Sequence, residues 1–301
     1  MNTLNDAHCH FFSRGFFEAL SRGLERFSGP DRAAQVVAEL EWEAPGESCK
    51  LARRWADELD RHQVDRCVLI ASVPGDEDSV AEAVKAYPRR FVGFFMVDPT
   101  APDAAQRTEE ALTRKGLRGV CLFPAMQRFR VDQEPARRIF EIAAGVDGAA
   151  VFVHCGVLTV GVRKKLGLKS PFDIRCGNPL DLHRVAVDFP RLPVIIPHFG
   201  AGFLREALMV ADLCPNIHFD TSSSNGWVRY CGLSLEEAFR RSLSVLGAGR
   251  LLFGSDSSFF PRGYQRQVLD AQLNVLSNLE VPGPDRQRIL ADNFNHLFPP
   301  G

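Results

Sequence analysis

Cys67-Val68-Leu69-Ile70-Ala71-Ser72 is a short, nearly unbroken apolar run, followed by a turn at Pro74-Gly75. Ser79 to Tyr87 then carries apolar residues at three- and four-residue spacing, Pro88 stops it, and Phe91 to Val97 is apolar again. A run of this length with no polar alternation suits a strand buried on both faces, and the spacing between the runs suits an amphipathic helix. Strand, helix and strand together make the crossover unit of a parallel sheet.

The same alternation extends in both directions. Apolar runs occur at Thr3 to Cys9, Cys67 to Ser72, Phe91 to Val97, Gly119 to Phe123, Ala150 to His154, Val194 to His198, Ile217 to Thr221 and Leu251 to Ser255. Between and after them, Ser79 to Tyr87, Ala104 to Lys115, Pro135 to Ala144, Pro179 to Phe189, Phe203 to Leu213, Leu235 to Leu246 and Gln265 to Leu279 read as crossover helices. Pro135 and Pro179 stand where a first-turn proline is tolerated, and Pro88, Pro190 and Pro215 end helices before the next strand. Eight such units in 301 residues predict a single (β/α)8 barrel domain over 1–301. No G-x-G-x-x-G follows the first strand, so a dinucleotide-binding doubly wound sheet is unsupported. Two connections, Phe11 to about Glu47 and Gly156 to Asn178, are long for ordinary loops. In a barrel both emerge at the C-terminal face, where they are candidates for a lid or a pocket wall.

The composition is that of a soluble globular protein, 45% hydrophobic and 24% charged. Thirty-six basic residues against 37 acidic ones, interspersed, leave no field to attract nucleic acid. No stretch reaches the length of a membrane span, and the first residues lack a basic segment leading into an apolar one, so a cytoplasmic protein is expected. Cys9, Cys49, Cys67, Cys121, Cys155, Cys176, Cys214 and Cys231 include no C-x-x-C pair and are expected as reduced core residues.

The first strand ends Asp6-Ala7-His8-Cys9-His10. Side chains alternate along a strand, so His8 and His10 point the same way and can converge on one ion. His154, His198 and Asp256 each close a later strand, and in a barrel all strand ends meet at one mouth. Three imidazoles and a carboxylate suit one divalent ion with a position left open, Zn²⁺ first and Mn²⁺ second. Such an ion lowers the pKa of bound water toward ~7 and polarises a substrate oxygen. Asp220 and Ser222, on and just after strand seven, are candidates for orienting a ligand from behind, while His62, His183 and His296 read as structural. Arg14, Arg175, Arg229 and Arg262 lie near the mouth and are candidates for binding a carboxylated substrate. Trp227, Tyr230, Phe259 and Phe260 are candidate pocket walls.

These motifs resemble the amidohydrolase-2 branch of the amidohydrolase superfamily. They are Asp6-Ala7-His8-Cys9-His10, His154 after strand five, His198-Phe199-Gly200-Ala201-Gly202, Phe253-Gly254-Ser255-Asp256 and Asn293-Phe294-Asn295-His296-Leu297-Phe298. The resemblance runs from residue 5 to residue 298. The branch includes aminocarboxymuconate-semialdehyde decarboxylase, resorcylate-type decarboxylases and pyrone-dicarboxylate lactonase. It implies His8, His10, His154 and Asp256 as metal ligands, with Asp256 also taking a proton from water. It implies His198 as the residue that positions water or polarises substrate, and a homodimer as the form of many relatives. Strand four reads Gly119-Val120-Cys121-Leu122-Phe123-Pro124, without the lysine or glutamate that bridges two ions in binuclear relatives, so one metal is expected. The leading expectation is a metal-dependent hydrolase of a small carboxylated or cyclic ester, lactone or amide. Non-oxidative decarboxylation of an aromatic or muconate-like acid at the same site is the runner-up, and an inert binding barrel comes third.

Overall fold

The computed structural model describes residues 3–222, 226–230 and 232–300, and Cys231 lies outside them. Eight parallel strands follow one another around a barrel in chain order. They are β1 (Asn5–Phe11), β2 (Arg66–Ala71), β3 (Phe91–Met96), β4 (Gly119–Leu122), β5 (Ala150–Val153), β6 (Val194–Ile196), β7 (Ile217–Asp220) and β8 (Leu251–Leu252). The expected (β/α)8 barrel is therefore the fold. β8 is only two residues long, and the ring is completed by backbone bonds that continue past it. Ala7 N donates to Phe253 O at 2.8 Å, Asp256 N to His8 O at 2.9 Å and His10 N to Ser257 O at 2.7 Å. The closing seam is thus also the segment that carries His8, His10 and Asp256.

Strand residues alternate between two apolar layers. Val68, Ile70, Phe94, Met96, Cys121, Phe152, Ile195 and Leu252 fill the barrel's interior, with Phe294 and Phe298 from the C-terminal segment packed against them. Leu69, Phe95, Val120, Val151 and Phe219 face the outer helices instead. Cys121 is fully buried in the interior layer. Gly93 and Gly119 have no room for a side chain, since a Cβ on Gly119 would sit 2.2 Å from the Phe94 ring. This close approach lets Phe94 occupy the interior without forcing β4 away.

Helix ends depart by a residue or two from the expected ones; Glu77–Ala86 replaces Ser79 to Tyr87 and Arg266–Asn278 replaces Gln265 to Leu279. The segment expected as one helix from Pro179 to Phe189 is a 3-10 turn, Pro179–Asp181, running into the helix Leu182–Asp188. The two long connections carry helices of their own. Arg14–Ser21 and Arg32–Glu39 lie in the first, and Gly161–Lys165 lies in the second. Phe16, Phe17, Leu20, Val36 and Val37 of the first connection pack with Val162 and Leu166 of the second, in an apolar cluster separate from the barrel's core. The seven described cysteines are free; five are buried, but Cys49, in the first turn of the helix Ser48–Arg61, is exposed and Cys176 half-buried. No helix among the described residues is long and apolar enough to cross a membrane.

Candidate active site

β1 delivers His8 and His10 to one side, as alternation requires, and their Nε2 atoms lie 3.3 Å apart. Asp256 Oδ1 is 3.1 Å from His10 Nε2 and 3.6 Å from His8 Nε2. The three donor atoms fall within 4.8 Å of one another, a spacing that can hold a metal ion.

The opposite edge of each ring fixes which nitrogen is free to ligate. His8 Nδ1 lies 2.5 Å from Asp220 Oδ2, and an ionised carboxylate can only accept, so Nδ1 carries a hydrogen and Nε2 is the nitrogen left to ligate. Ser72 Oγ uses its own hydrogen on Ile70 O at 3.0 Å and therefore accepts from His10 Nδ1 at 2.7 Å. His10 Nε2 is left with its lone pair in the same way. Asp220 is held in turn by Ser222 N, which donates to its Oδ1 at 2.7 Å. Ligands oriented from behind by a carboxylate and a hydroxyl are characteristic of metal centres.

His198 Nδ1 meets Ser222 O at 3.0 Å, and a carbonyl only accepts, so His198 too presents Nε2 as an acceptor. Burial lowers its pKa and keeps the ring neutral. A neutral ring of this tautomer orients or receives a proton rather than donating one to an oxyanion. His154 is 3% exposed, stacks on Phe123 with centroids 5.4 Å apart and lies 5.2 Å from the His198 ring. It falls outside the three-atom cluster, and neither of its buried ring nitrogens has a hydrogen-bond partner among the described residues. Two buried orphan nitrogens are costly unless something polar arrives to meet them.

Charge reinforces the arrangement. Burial opposes the charged form of His8, but the Asp220 carboxylate prevails and pushes its pKa up to about 9. An ion bound at Nε2 would displace that proton. Burial pushes Asp256 up, but the contact with the His10 ring and the positive charge that His8 carries in the absence of a metal outweigh it and hold the carboxyl well below its usual range. Asp6, wholly buried, is pushed up to about 6 by burial while its Oδ1 accepts from His8 N and Ser255 N across the seam.

Two positions of the site have unusual backbones. His198 has φ 55° and Asp256 φ 57°, in the left-handed region where non-glycine residues are uncommon. Gly254, two residues before Asp256, leaves room for the site: a Cβ there would sit 2.3 Å from Asp220 Oδ1 and 3.0 Å from His8 Cβ.

The side chains line a cavity of about 410 Å³. His8, His10, His154, His198 and Asp256 form one part of it, and Phe12, Phe16, Trp42, Phe123 and Phe259 form aromatic walls. Of the arginines expected at the mouth, Arg262 lines this cavity. Arg14 pairs with Glu18, Arg175 pairs with Asp173 and Arg229 lies against Tyr230, all three outside the lining. Phe259 is a wall, whereas Trp227 is buried against Phe199 and Phe260 is half-buried against Trp55. Ser72, Phe12, Trp42 and Lys165 carried no sequence signal that singled them out, and Gly254, although part of Phe253-Gly254-Ser255-Asp256, had no role assigned to it. Ser72 is a strand-end residue of ordinary type, and Phe12, Trp42 and Lys165 reach the cavity only through the folding of the two long connections.

A family model described as amidohydrolase matches residues 6–299. The chain belongs to the amidohydrolase family. Among solved structures, the amidohydrolase is similar to the 5-carboxyvanillate decarboxylase of Novosphingobium aromaticivorans complexed with manganese and 4-hydroxy-3-methoxy-5-nitrobenzoic acid. The TM-score is 0.66 at 15% identity, over 98% of this chain and 96% of that one. It is also similar to a probable 2-pyrone-4,6-dicarboxylic acid hydrolase of Acinetobacter baumannii with citric acid bound. Here the TM-score is 0.62 at 16% identity, over 99% of both chains. Likeness at these identities concerns the fold. A curated relative, protein FluG of Emericella nidulans, is 29% identical over 98 residues, which are 32% of this chain and 11% of that protein.

Proposed function

We propose that this amidohydrolase is a metal-dependent hydrolase of a small carboxylated or cyclic ester, lactone or amide. The observation that supports it best is the convergence of His8 Nε2, His10 Nε2 and Asp256 Oδ1 within 4.8 Å, with both rings held from behind so that their lone pairs face one point. His154 completes the proposed ligand set, since its two unpartnered buried nitrogens fit a site that expects a guest. Two or three imidazoles with one carboxylate suit Zn²⁺, and Mn²⁺ is the alternative. Such an ion supplies a polarised substrate oxygen and a more acidic water. Asp256, ionised and in contact with His10, receives the water's proton at its carboxylate. His198 Nε2, an acceptor by its tautomer, orients that water toward the carbonyl.

The aromatic walls favour a second reading at the same site. A flat acid could lie against Phe12, Trp42 and Phe123 and lose CO₂, with Asp256 or His198 handling the proton that replaces it.

The test begins with metal content. Protein purified without chelator is expected to hold about one equivalent of zinc or manganese, absent from a His8→Ala/His10→Ala variant. Asp256→Asn is expected to fold and to lose nearly all turnover on lactones and esters screened with that ion. Release of CO₂ from aromatic acids, with no hydrolysis, would replace the first reading with the second. A parent that holds no metal and gains no activity from any would overturn both.

A further inference from the structure

Trp42, from the connection after β1, stacks on Phe259, from the connection after β8, with ring centroids 3.7 Å apart and planes 8° from parallel. Each ring also meets a cation. Lys165 Nζ, on the helix of the connection after β5, is 5.6 Å from the Trp42 ring, and Arg262 Cζ is 4.6 Å from the Phe259 ring. Three connections thus bring a flat aromatic pair and two positive charges to one border of the cavity, and all four side chains line it.

Several cations on the connections are already paired. Arg14, Arg26, Arg130 and Arg175 each hold a carboxylate within ion-pair distance. Lys165 and Arg262 form no ion pair among the described residues. Arg262 is instead fastened through Nη2 to Ser258 Oγ at 2.6 Å and to Asp256 O at 3.4 Å, which positions the guanidinium without a carboxylate at ion-pair distance; the Asp256 carboxylate acts on it only from farther off. Asp256 is the sole carboxylate of the described cavity lining, and it belongs to the three-atom cluster. A cleft border lined by positive charge concentrates anions, and cations resting on aromatic faces stay accessible while their stems are fixed.

We infer that Lys165 and Arg262 form an anion subsite at the mouth, which binds a carboxylate of the substrate other than the one at the reacting centre, while the connecting flat segment lies along Trp42 and Phe259. This rests on the cavity being the substrate pocket and adds to it a requirement for a second negative charge. A planar dicarboxylate spans both ends; a monocarboxylate engages one.

The probes are benzene-1,3-dicarboxylate and benzoate, titrated against the zinc-loaded protein while the fluorescence of Trp42 is followed. Trp55 and Trp227 are fully buried, so Trp42 is the tryptophan of the three that can report a ligand. The parent is expected to bind the dicarboxylate about ten-fold or more tightly than benzoate, the advantage typical of a hydrogen-bonded charge pair. In Lys165→Gln/Arg262→Gln that ratio is expected to fall to near one with benzoate affinity unchanged, an outcome a merely structural role would not give. Arg262→Lys is expected to keep part of it. Repeating the titrations without zinc separates this claim from the metal reading. Without zinc both probes are left with the subsite, so each is expected to bind the parent more tightly than Lys165→Gln/Arg262→Gln, whatever zinc does to either affinity. A ratio near one in the parent, or one that survives the double substitution, overturns it.

Discussion

Asp220 has no solvent exposure, yet its charge decides how His8 faces the site. Replacing it with asparagine keeps the shape, but the amide can present its NH₂ to His8 Nδ1 and select the wrong tautomer. Asp220→Asn is therefore expected to fold and to bind zinc about 10- to 100-fold more weakly, measured by competition with a chromogenic chelator. Unchanged affinity would mean that Asp220 does not orient a ligand. Gly254→Ala approaches the same pair from the other strand, since the added methyl displaces Asp220 or His8. It too is expected to weaken metal binding without removing any donor. The H-x-H on β1 was readable because alternation in a strand is a local rule. Ser72 was not, because which hydroxyl accepts from His10 depends on the register of β1 against β2, which pairs His10 with Ile70.

At the scale of elements, the two long connections are the part the sequence left open. Their lengths marked them, but the helices within them are short; Arg14–Ser21 and Arg32–Glu39 pack on each other, and Val162 and Leu166, more than 100 residues away, complete their apolar cluster. Such pairing has no local signature. Leu166, 1% exposed, and Val162 insert among Phe16, Phe17 and Val37, so the connections after β1 and β5 cover the mouth as one unit. Leu166→Ala is expected to cost about 2–5 kcal/mol within that unit. Because the cluster is separate from the barrel core, the loss should appear as local opening. Limited proteolysis followed by mass spectrometry is expected to show faster cuts within 12–47 and 156–178, with the main melting transition little changed. Cuts spread evenly over the barrel would show instead that the unit is not independent.

The whole molecule is a ring whose last joint is made mostly beyond the eighth strand. Seven neighbouring pairs of strands share ladders, but β8 contributes two residues, and its joint with β1 relies on bonds at the edge of the active site. The eightfold alternation was legible because each unit repeats the same local pattern; how the ring is held at its other end was not. Phe294 and Phe298, 2% and 4% exposed, pack against each other and into the interior layer, with Phe298 edge-on to Phe94 at 5.5 Å. Arg66, at the start of β2, donates to Phe298 O at 2.6 Å and to Asn295 Oδ1 at 2.8 Å, tying the C-terminal segment beneath the strands. Phe298→Ala empties part of that plug and is expected to cost about 3–5 kcal/mol, read as a lower urea midpoint. The folded fraction should bind zinc as the parent does, since the ligands lie at the opposite strand ends. Added zinc should therefore raise the variant's midpoint by as much as it raises the parent's, because the stabilisation depends only on ion concentration and affinity. A smaller rise in the variant would mean that the C-terminal segment shapes the metal centre through the barrel interior.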